Sequence, residues 1–368
     1  RKYNYSEYFS SIIGYTGPIS ESEYTALHKK NKDYTQNDTV GKAGLEQYYE
    51  TYLRGKNGEQ KFYIDNVGRI SEIISSTDSV AGDDLYLSID ADLQKATYLA
   101  LQNEIAAIVY SNIKSGEIPI NDVYTALIGN SVINTEHFSK AKASDTEKNV
   151  LSVFKSRQKT TLGKIKQELT SSPEALNTMS DEVLDEFTYI ISMLKDDQVL
   201  LKNEIDTSDS VYQKWKNQKI SPKEYLSYCI TQHWIDISQL NVDEKYADST
   251  EVYDALCKYI LKNIKTDTEF SKIIYQYMIT RGEISPRQLC LILFDQGVLD
   301  YDDATVNKLK NGSLSPRDFL MKKIYNIEIT PAQLALEPCT GSCVVTDEKT
   351  GEIRAMVSYP GYDSNKLA

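Results

Sequence analysis

The residues best suited to covalent chemistry in this sequence are serines that a lysine follows three positions later. Such a lysine can activate the serine hydroxyl for acyl transfer. The pattern occurs at Ser111–Lys114, Ser139–Lys142 and Ser156–Lys159. Matches of this number are expected by chance in a chain with so many serines and lysines. The spacing alone therefore predicts no active site.

Two tripeptides of the K-T-G and K-S-G type could complete an acyl-transfer site. Lys349-Thr350-Gly351 falls in the turn between two predicted strands, whereas a catalytic version lies on a strand edge beside the nucleophile. Lys114-Ser115-Gly116 overlaps a serine–lysine match and is typical of a helix end that glycine terminates. We expect neither tripeptide to be catalytic.

Other catalytic and metal-binding systems find little support. His28, His137 and His233 stand among helical residues with no adjoining nucleophile. The cysteines lack metal-ligand spacing and are expected to be free, mostly buried thiols: Cys229, Cys257, Cys290, Cys339 and Cys343. We therefore expect no catalytic residue, no metal and no cofactor in this chain.

Length and charge narrow the class of protein further. A chain of 368 residues is long enough for two or three domains with their own cores. Its net charge of -12 repels phosphate backbones, so no nucleic acid partner is expected. The longest apolar runs fall well short of the roughly 20 residues that a membrane helix needs. The chain begins at Arg1 without an apolar leader, so any anchor or signal is expected upstream.

The elements that must position these residues fall into four segments and predict an α+β fold. The segments are a small mixed domain over 1–80, a strand and a helix over 81–104, an all-helical domain over 105–335, and a β-hairpin over 336–368. The strand of the second segment is expected at Asp84–Ile89, where polar and apolar residues alternate, and Asp90 caps the helix that follows.

The first segment contains two predicted helices. Ser20 and Glu23 form a capping box, which predicts a helix from Glu21 to about Lys29. Apolar residues at helical spacing predict a second helix from Gly44 to Arg54, which Gly55 terminates in the left-handed conformation. Two strands are expected afterwards, at 60–65 and 69–74.

Recurrent helix starts mark the long helical segment. Each has Ser or Thr as a cap and proline in the first helical position: Ser172-Pro173, Ser221-Pro222, Ser285-Pro286, Ser315-Pro316 and Thr330-Pro331. Their uneven spacing argues against a solenoid, which needs a fixed period.

The last segment reads as two strands, 341–347 and 352–359, around a turn that ends at Gly351. A lone hairpin is marginal in water, so we expect this one to pack on the helix after Asp90 or on residues outside the chain.

Several stretches recur in an order that is itself informative: Ile13 to Gly17, Gly41 to Tyr49 with Leu53-Arg54-Gly55, Leu85 to Gln94, and Val344 to Pro360. Together they resemble class B penicillin-binding proteins, over roughly residues 1–104 and 336–368. On this resemblance, residues 1–80 are the pedestal, or dimerisation, domain. The second and last segments are then the beginning of a truncated transpeptidase domain.

The resemblance implies a parent protein that is a membrane-anchored peptidoglycan D,D-transpeptidase outside the cytoplasm. Its serine would attack stem peptides, and β-lactams would acylate the same serine. The resemblance also implies a missing N-terminal transmembrane helix, a polymerase or scaffold protein of wall synthesis as partner, and a homodimer. The S-x-x-K, S-x-N and K-T-G elements of the family should follow the terminal hairpin. We therefore expect this chain to be inactive alone.

About 230 helical residues, 105–335, interrupt the family pattern and form an insertion of unassigned function. An alternative reading is a non-catalytic scaffold in which this insertion is the main binding module. A third, an all-helical interaction protein unrelated to the cell wall, would make the resemblance a coincidence.

The polar residues singled out in the pedestal are predicted to be structural. Glu46 and Arg54 are eight residues apart on the predicted helix, where an arginine can tie the helix to the strands near Asp65 and Arg69. Gly44 and Gly55 bound that helix. An ordinary surface pair of charges is the alternative.

Overall fold

A computed structural model describes residues 2–64, 69–171, 174–240, 242 and 248–367. Its helices are α1 (Ser6–Ile13), α2 (Glu21–Lys30), α3 (Gly44–Tyr48), α4 (Glu50–Leu53), α5 (Ala91–Ser115), α6 (Ile120–Gly129), α7 (Asp145–Thr170), α8 (Asp181–Asp196), α9 (Ser210–Lys216), α10 (Pro222–Thr231), α11 (Ser249–Ile264), α12 (Thr268–Thr280), α13 (Pro286–Asp295), α14 (Asp303–Asn311), α15 (Pro316–Tyr325) and α16 (Pro331–Leu334). Its strands are β1 (Thr16–Pro18), β2 (Thr39–Gly41), β3 (Glu59–Ile64), β4 (Ile70–Thr77), β5 (Gly341–Thr346) and β6 (Ile353–Tyr359). The fold class is α+β.

The chain divides into two compact units. One unit contains residues 1–111 and 324–368, and the other contains residues 112–323. The sequence pattern placed these divisions at 104/105 and 335/336. We call the first the mixed unit and the second the helical unit.

In the mixed unit, local signals fix the first elements. Ser20 caps α2 and Glu23 bonds back to the Ser20 backbone, so the predicted capping box is confirmed. β1 and β2 pair antiparallel, with Thr16 opposite Gly41. The single helix predicted from Gly44 to Arg54 is instead two short helices, α3 and α4. They separate at Tyr49, whose φ of -102° and ψ of 21° leave the helical region.

The terminal hairpin packs on α5, one of the two partners expected for it. Tyr98 and Ile105 of α5 form a buried cluster with Val357 and Tyr359 of β6. The buried amide of Gln94 acts as a strand partner, because it accepts from the Met356 N–H at 2.8 Å and donates to the Met356 carbonyl at 2.9 Å. Gln94 thereby satisfies backbone groups at the open edge of β6.

The strand predicted at Asp84–Ile89 is wrong, since these residues are irregular in the structure. A strand needs a ladder of backbone bonds. Among the described residues, isolated hydrogen bonds join this stretch to the start of β6: Ser88 Oγ donates to the Ile353 carbonyl, and Asp90 N–H donates to the Arg354 carbonyl. Alternating polar and apolar residues do not form a strand unless a neighbouring strand supplies that ladder.

In the helical unit, helix starts follow the predicted capping chemistry. Ser221 and Ser285 cap helices whose first residue is proline, and Ser285 completes a capping box with Gln288. Ser172-Pro173 lies outside the described residues. The helices enclose an apolar core that includes Phe187, Leu226 and Ile274, each fully buried.

Several helix ends along this part of the sequence are evenly spaced. Left-handed residues stand at Gly282, Gly297 and Gly312, and Ile327 continues the 15-residue spacing along the sequence. Two positions after each glycine, the backbone N–H of an aliphatic residue donates to a carbonyl of the helix that has just ended: Ile284 to Met278, Leu299 to Leu293 and Leu314 to Lys308. The helix ends are thus evenly spaced from 282 to 327, although the helix starts that contain proline are not. Proline is optional in the first turn, and α14 starts without one.

Candidate functional site

The serine–lysine pairs and K-T-G tripeptide do not assemble an acyl-transfer site among the described residues. Both members of all three predicted pairs are exposed. Two further matches, Ser152–Lys155 and Ser192–Lys195, lie on α7 and α8. Lys349-Thr350-Gly351 forms the turn between β5 and β6. There the backbone N–H groups of Lys349 and Thr350 donate to the carboxylate of Asp347.

Arg54 is the centre of a polar cluster in the mixed unit. Its Nη2 donates to the Asp33 carbonyl at 2.8 Å and to the Asp38 carboxylate. Its guanidinium lies 3.9 Å from the centroid of the Tyr34 ring, a cation–π contact. Burial raises the pKa of Asp38, but hydrogen bonds from Thr35 and the charge of Arg54 outweigh it and lower that pKa. Arg54 thus ties the end of α4 to residues 33–38.

Glu50 completes this cluster from the buried side. Its carboxylate accepts from the Gly41 N–H at 2.7 Å and from the Tyr34 hydroxyl at 3.3 Å. Tyr34 is itself only 2% exposed, and burial raises the pKa of its hydroxyl. One carboxylate therefore joins α4, the end of β2 and the segment before it. A cavity of about 300 Å³ borders the cluster and is lined in part by Thr16, Asp38, Glu50 and Arg54.

Gly44 and Gly55 occupy positions that only glycine fits. Gly44 has a φ of +59°, and a Cβ there would lie 2.5 Å from the Ile12 carbonyl oxygen. Gly55 has a φ of +74°, as predicted for a left-handed terminator, and a Cβ would lie 2.3 Å from the Val80 oxygen. These close approaches fix α3 against the end of α1 and α4 against residue 80.

The remaining predicted clamp residues have different surroundings. Glu46 is buried in α3, at 6% exposure. Arg69 is exposed just before β4, and Asp65 lies outside the described residues. Arg54 makes the contacts described above with residues 33–38. A tie from this cluster to Asp65 and Arg69 stays a prediction.

The β3–β4 hairpin presents an apolar face to solvent. Phe62 pairs with Ile73 and Ile64 with Ile70, so these four side chains share one face of the ladder. They are between 41% and 62% exposed. An isolated two-stranded ladder is marginal in water, and a contiguous exposed apolar face marks an interaction surface. We call these four residues the hairpin face.

Comparison with known proteins identifies this region. Residues 1–87 match the family model described as the penicillin-binding protein dimerisation domain. We call these matched residues the dimerisation domain. The matched residues include α1 to β4, and therefore the Arg54 cluster and the hairpin face.

Relatives of the chain carry names from the same family. The chain is 32% identical over 120 residues to peptidoglycan D,D-transpeptidase MrdA of Salmonella typhimurium and 30% identical over 120 residues to that of Escherichia coli K12. It is 37% identical over 119 residues to penicillin-binding protein 3 of Bacillus subtilis. Each match covers 32% of this chain and 17% to 19% of the relative. The chain thus matches about a fifth of the length of these relatives.

Sequence reasoning missed Glu50, a buried carboxylate of the dimerisation domain. It lies beside the predicted pair Glu46 and Arg54, yet its partners Gly41 and Tyr34 are nine and sixteen residues away. The available signal was a carboxylate at helical spacing from Glu46 among the apolar residues of the predicted helix. Such a residue on a buried face needs partners.

Within the described part of the chain, no group of three or more histidine, cysteine, aspartate and glutamate side chains could hold a metal ion. Every helix there is too short or too polar to span a bilayer. All five cysteines are free, and Cys229, Cys257 and Cys290 are buried.

Proposed function

We propose that this chain is a non-catalytic part of a penicillin-binding protein that works in peptidoglycan cross-linking outside the cytoplasm. Its dimerisation domain positions the catalytic domain and contacts a protein partner of wall synthesis, either a polymerase, a scaffold or a second copy. Stem peptides and β-lactams would be bound by the catalytic domain of the whole protein, and a membrane anchor would precede Arg1. The names of the relatives support the reaction class.

The hairpin face is the observation that carries the partner contact. Four apolar side chains stand on a ladder that the structure leaves exposed, in a domain whose base is braced by Arg54 and Glu50. Burying such side chains on a partner contributes roughly 25 cal/mol per Å² of apolar surface. A β-hairpin with an exposed apolar face, in a domain that the Arg54 cluster holds rigid, suits a domain that binds another protein.

A labelling experiment tests the catalytic half of the proposal. Fluorescent penicillin is added to this chain and to the intact protein of the source organism. We expect a stable acyl adduct on the intact protein alone. An adduct on the 368-residue chain would overturn its non-catalytic assignment, and an unlabelled intact protein would favour the scaffold reading.

A pair of variants of the intact protein tests the partner contact. Phe62→Ser with Ile73→Ser removes half of the hairpin face, whereas Tyr63→Ser removes an aromatic side chain of similar exposure from the opposite face. We expect the double variant to keep penicillin labelling but to lose complementation of a deletion strain and self-association or partner cross-linking. Full complementation by the double variant would contradict the proposal.

A further inference from the structure

The helical unit contains a cavity of about 350 Å³ between α8, α9 and the segment before α8. Its wall is partly apolar, with contributions from Leu176, Leu184, Ile191 and Trp215. A volume of this order suits a small organic molecule. The dimerisation domain lies in the other unit and gives this cavity no role.

Two lysines give the cavity a positive charge. Lys195 of α8 and Lys216 of α9 line it, and no carboxylate is among its lining residues. Within the described part of the chain, neither lysine forms an ion pair or a side-chain hydrogen bond. Thr188 and Ser192 add hydroxyl groups. This local positive charge attracts an anion, although the chain as a whole has a net charge of -12.

The apolar wall is held in place before any ligand arrives. One face of the Trp215 indole stacks on the fully buried Tyr225 ring, with centroids 4.5 Å apart and planes 5° apart. The loop after α9 is joined to the opposite wall, because Asn177 N–H donates to the Gln218 carbonyl at 2.9 Å. Preorganised walls lower the conformational cost of binding.

The backbone geometry favours a carboxylate over a phosphate. Phosphate sites use clusters of free backbone N–H groups at helix starts or in loops. Here the N–H groups of Asn217, Gln218 and Lys219 donate to carbonyls of α9. Charge recognition is therefore left to the lysine side chains.

We propose that this cavity binds a small carboxylate ligand. Its carboxylate lies between Lys195 and Lys216, and its apolar or sugar body lies against Trp215. Two sources share this chemistry, the free carboxyl end of a short peptide and an acidic sugar. The probes named below are chosen because of the proposed function, whereas the site itself is inferred from the structure alone.

Tryptophan fluorescence tests the proposal, because Trp215 and Trp234 are the two tryptophans of the chain. In a Trp234→Phe background, Trp215 is the sole reporter. The probes are N-acetyl-D-alanyl-D-alanine, N-acetylmuramic acid, neutral N-acetylglucosamine and glycerol phosphate. We expect a saturable change with at least one carboxylate, and the probe that gives it identifies the source.

Lysine variants decide whether the site is the one proposed. Lys195→Ala with Lys216→Ala should weaken carboxylate binding at least about tenfold, whereas Lys214→Ala on the same helix, outside the cavity lining, should leave it unchanged. No saturable response to either acid in a folded Trp234→Phe protein would overturn the proposal. Equal binding of N-acetylglucosamine or of glycerol phosphate would overturn the carboxylate assignment. Failure here leaves the penicillin-labelling result unaffected.

Discussion

The dimerisation domain and the helical unit are stabilised in different ways. In the dimerisation domain, short elements meet around the buried side chains of Glu50 and Tyr34 and the half-buried side chain of Arg54. In the helical unit, longer helices end and begin by repeated local motifs around an apolar core. Apolar packing tolerates substitutions of similar volume, while a polar cluster requires each partner in place. The first region should therefore be the more sensitive to single changes.

Glycine substitutions should separate the two regions most strongly. Gly44→Ala places a Cβ 2.5 Å from the Ile12 oxygen at a φ of +59°. We expect it to destabilise the dimerisation domain by about 4 kcal/mol. Gly163→Ala within α7 meets no atom within 4 Å and should stabilise the helical unit by about 1 kcal/mol. Native-state hydrogen exchange in α3 and α7 measures both, and equal effects would refute the contrast.

Glu186 should give the helical unit a pH dependence that the apolar core alone would not. Burial, and secondarily the charge of Glu182, raise its pKa to about 8 from an ordinary value of 4.5, although Arg157 and Lys164 oppose the shift. The folded state therefore holds this proton more tightly than the unfolded state. The stability that this protonated carboxyl contributes is fully present below pH 4.5 and is lost as the pH rises through about 8.

Glu186→Gln should remove this loss. We expect the variant to gain about 3 kcal/mol over the wild type at pH 9 and little at pH 4. Urea unfolding followed by tryptophan fluorescence reports on this unit, because Trp215 and Trp234 both lie in it. Glu182→Gln is the matched control, since Glu182 pairs with Arg157 and Arg281 and its loss should destabilise. A gain for Glu186→Gln that does not vary with pH would rule out the titration.

Glu50→Ala should destabilise the dimerisation domain by about 2 kcal/mol. The change leaves the buried Gly41 N–H and Tyr34 hydroxyl without their acceptor. Glu50→Gln keeps one acceptor oxygen and should recover part of the loss. Thermal unfolding by circular dichroism, with hydrogen exchange at Gly41, checks both variants. If Glu50→Ala exchanges at Gly41 like the wild type, the cluster does not brace this domain.

The same contrast explains how far the sequence could predict the structure. Helix starts at Ser20 and Ser285 and the left-handed end at Gly55 are local, since the residues that specify them are within a few positions of one another. The pairing of Gln94 with Met356 is not, because the two residues are 262 positions apart. Without a ladder to join, the alternating pattern of 84–89 formed no strand.

The site followed the same rule. Arg54 and the glycines beside it could be singled out because their types restrict what they can do. The partners of Arg54 and Glu50 could not, because residues 33–41 are positioned by tertiary contacts that include the pairing of β1 with β2. The kind of contact that each side chain can make could be predicted from its residue type, whereas the partner it contacts depends on tertiary structure.

The smallest expected effect concerns a single cap in the helical unit. Ser285 Oγ accepts from the Gln288 N–H, and the Gln288 side chain bonds back to the Ser285 backbone. Ser285→Ala should therefore cost about 1 kcal/mol of unfolding free energy. Ser180 precedes α8 without a side-chain cap bond, so Ser180→Ala should change stability by less than about 0.5 kcal/mol. Urea unfolding of both variants measures the difference. If the two substitutions cost the same, the capping box contributes nothing specific, and the local motifs of this unit owe their stability to the apolar core they enclose.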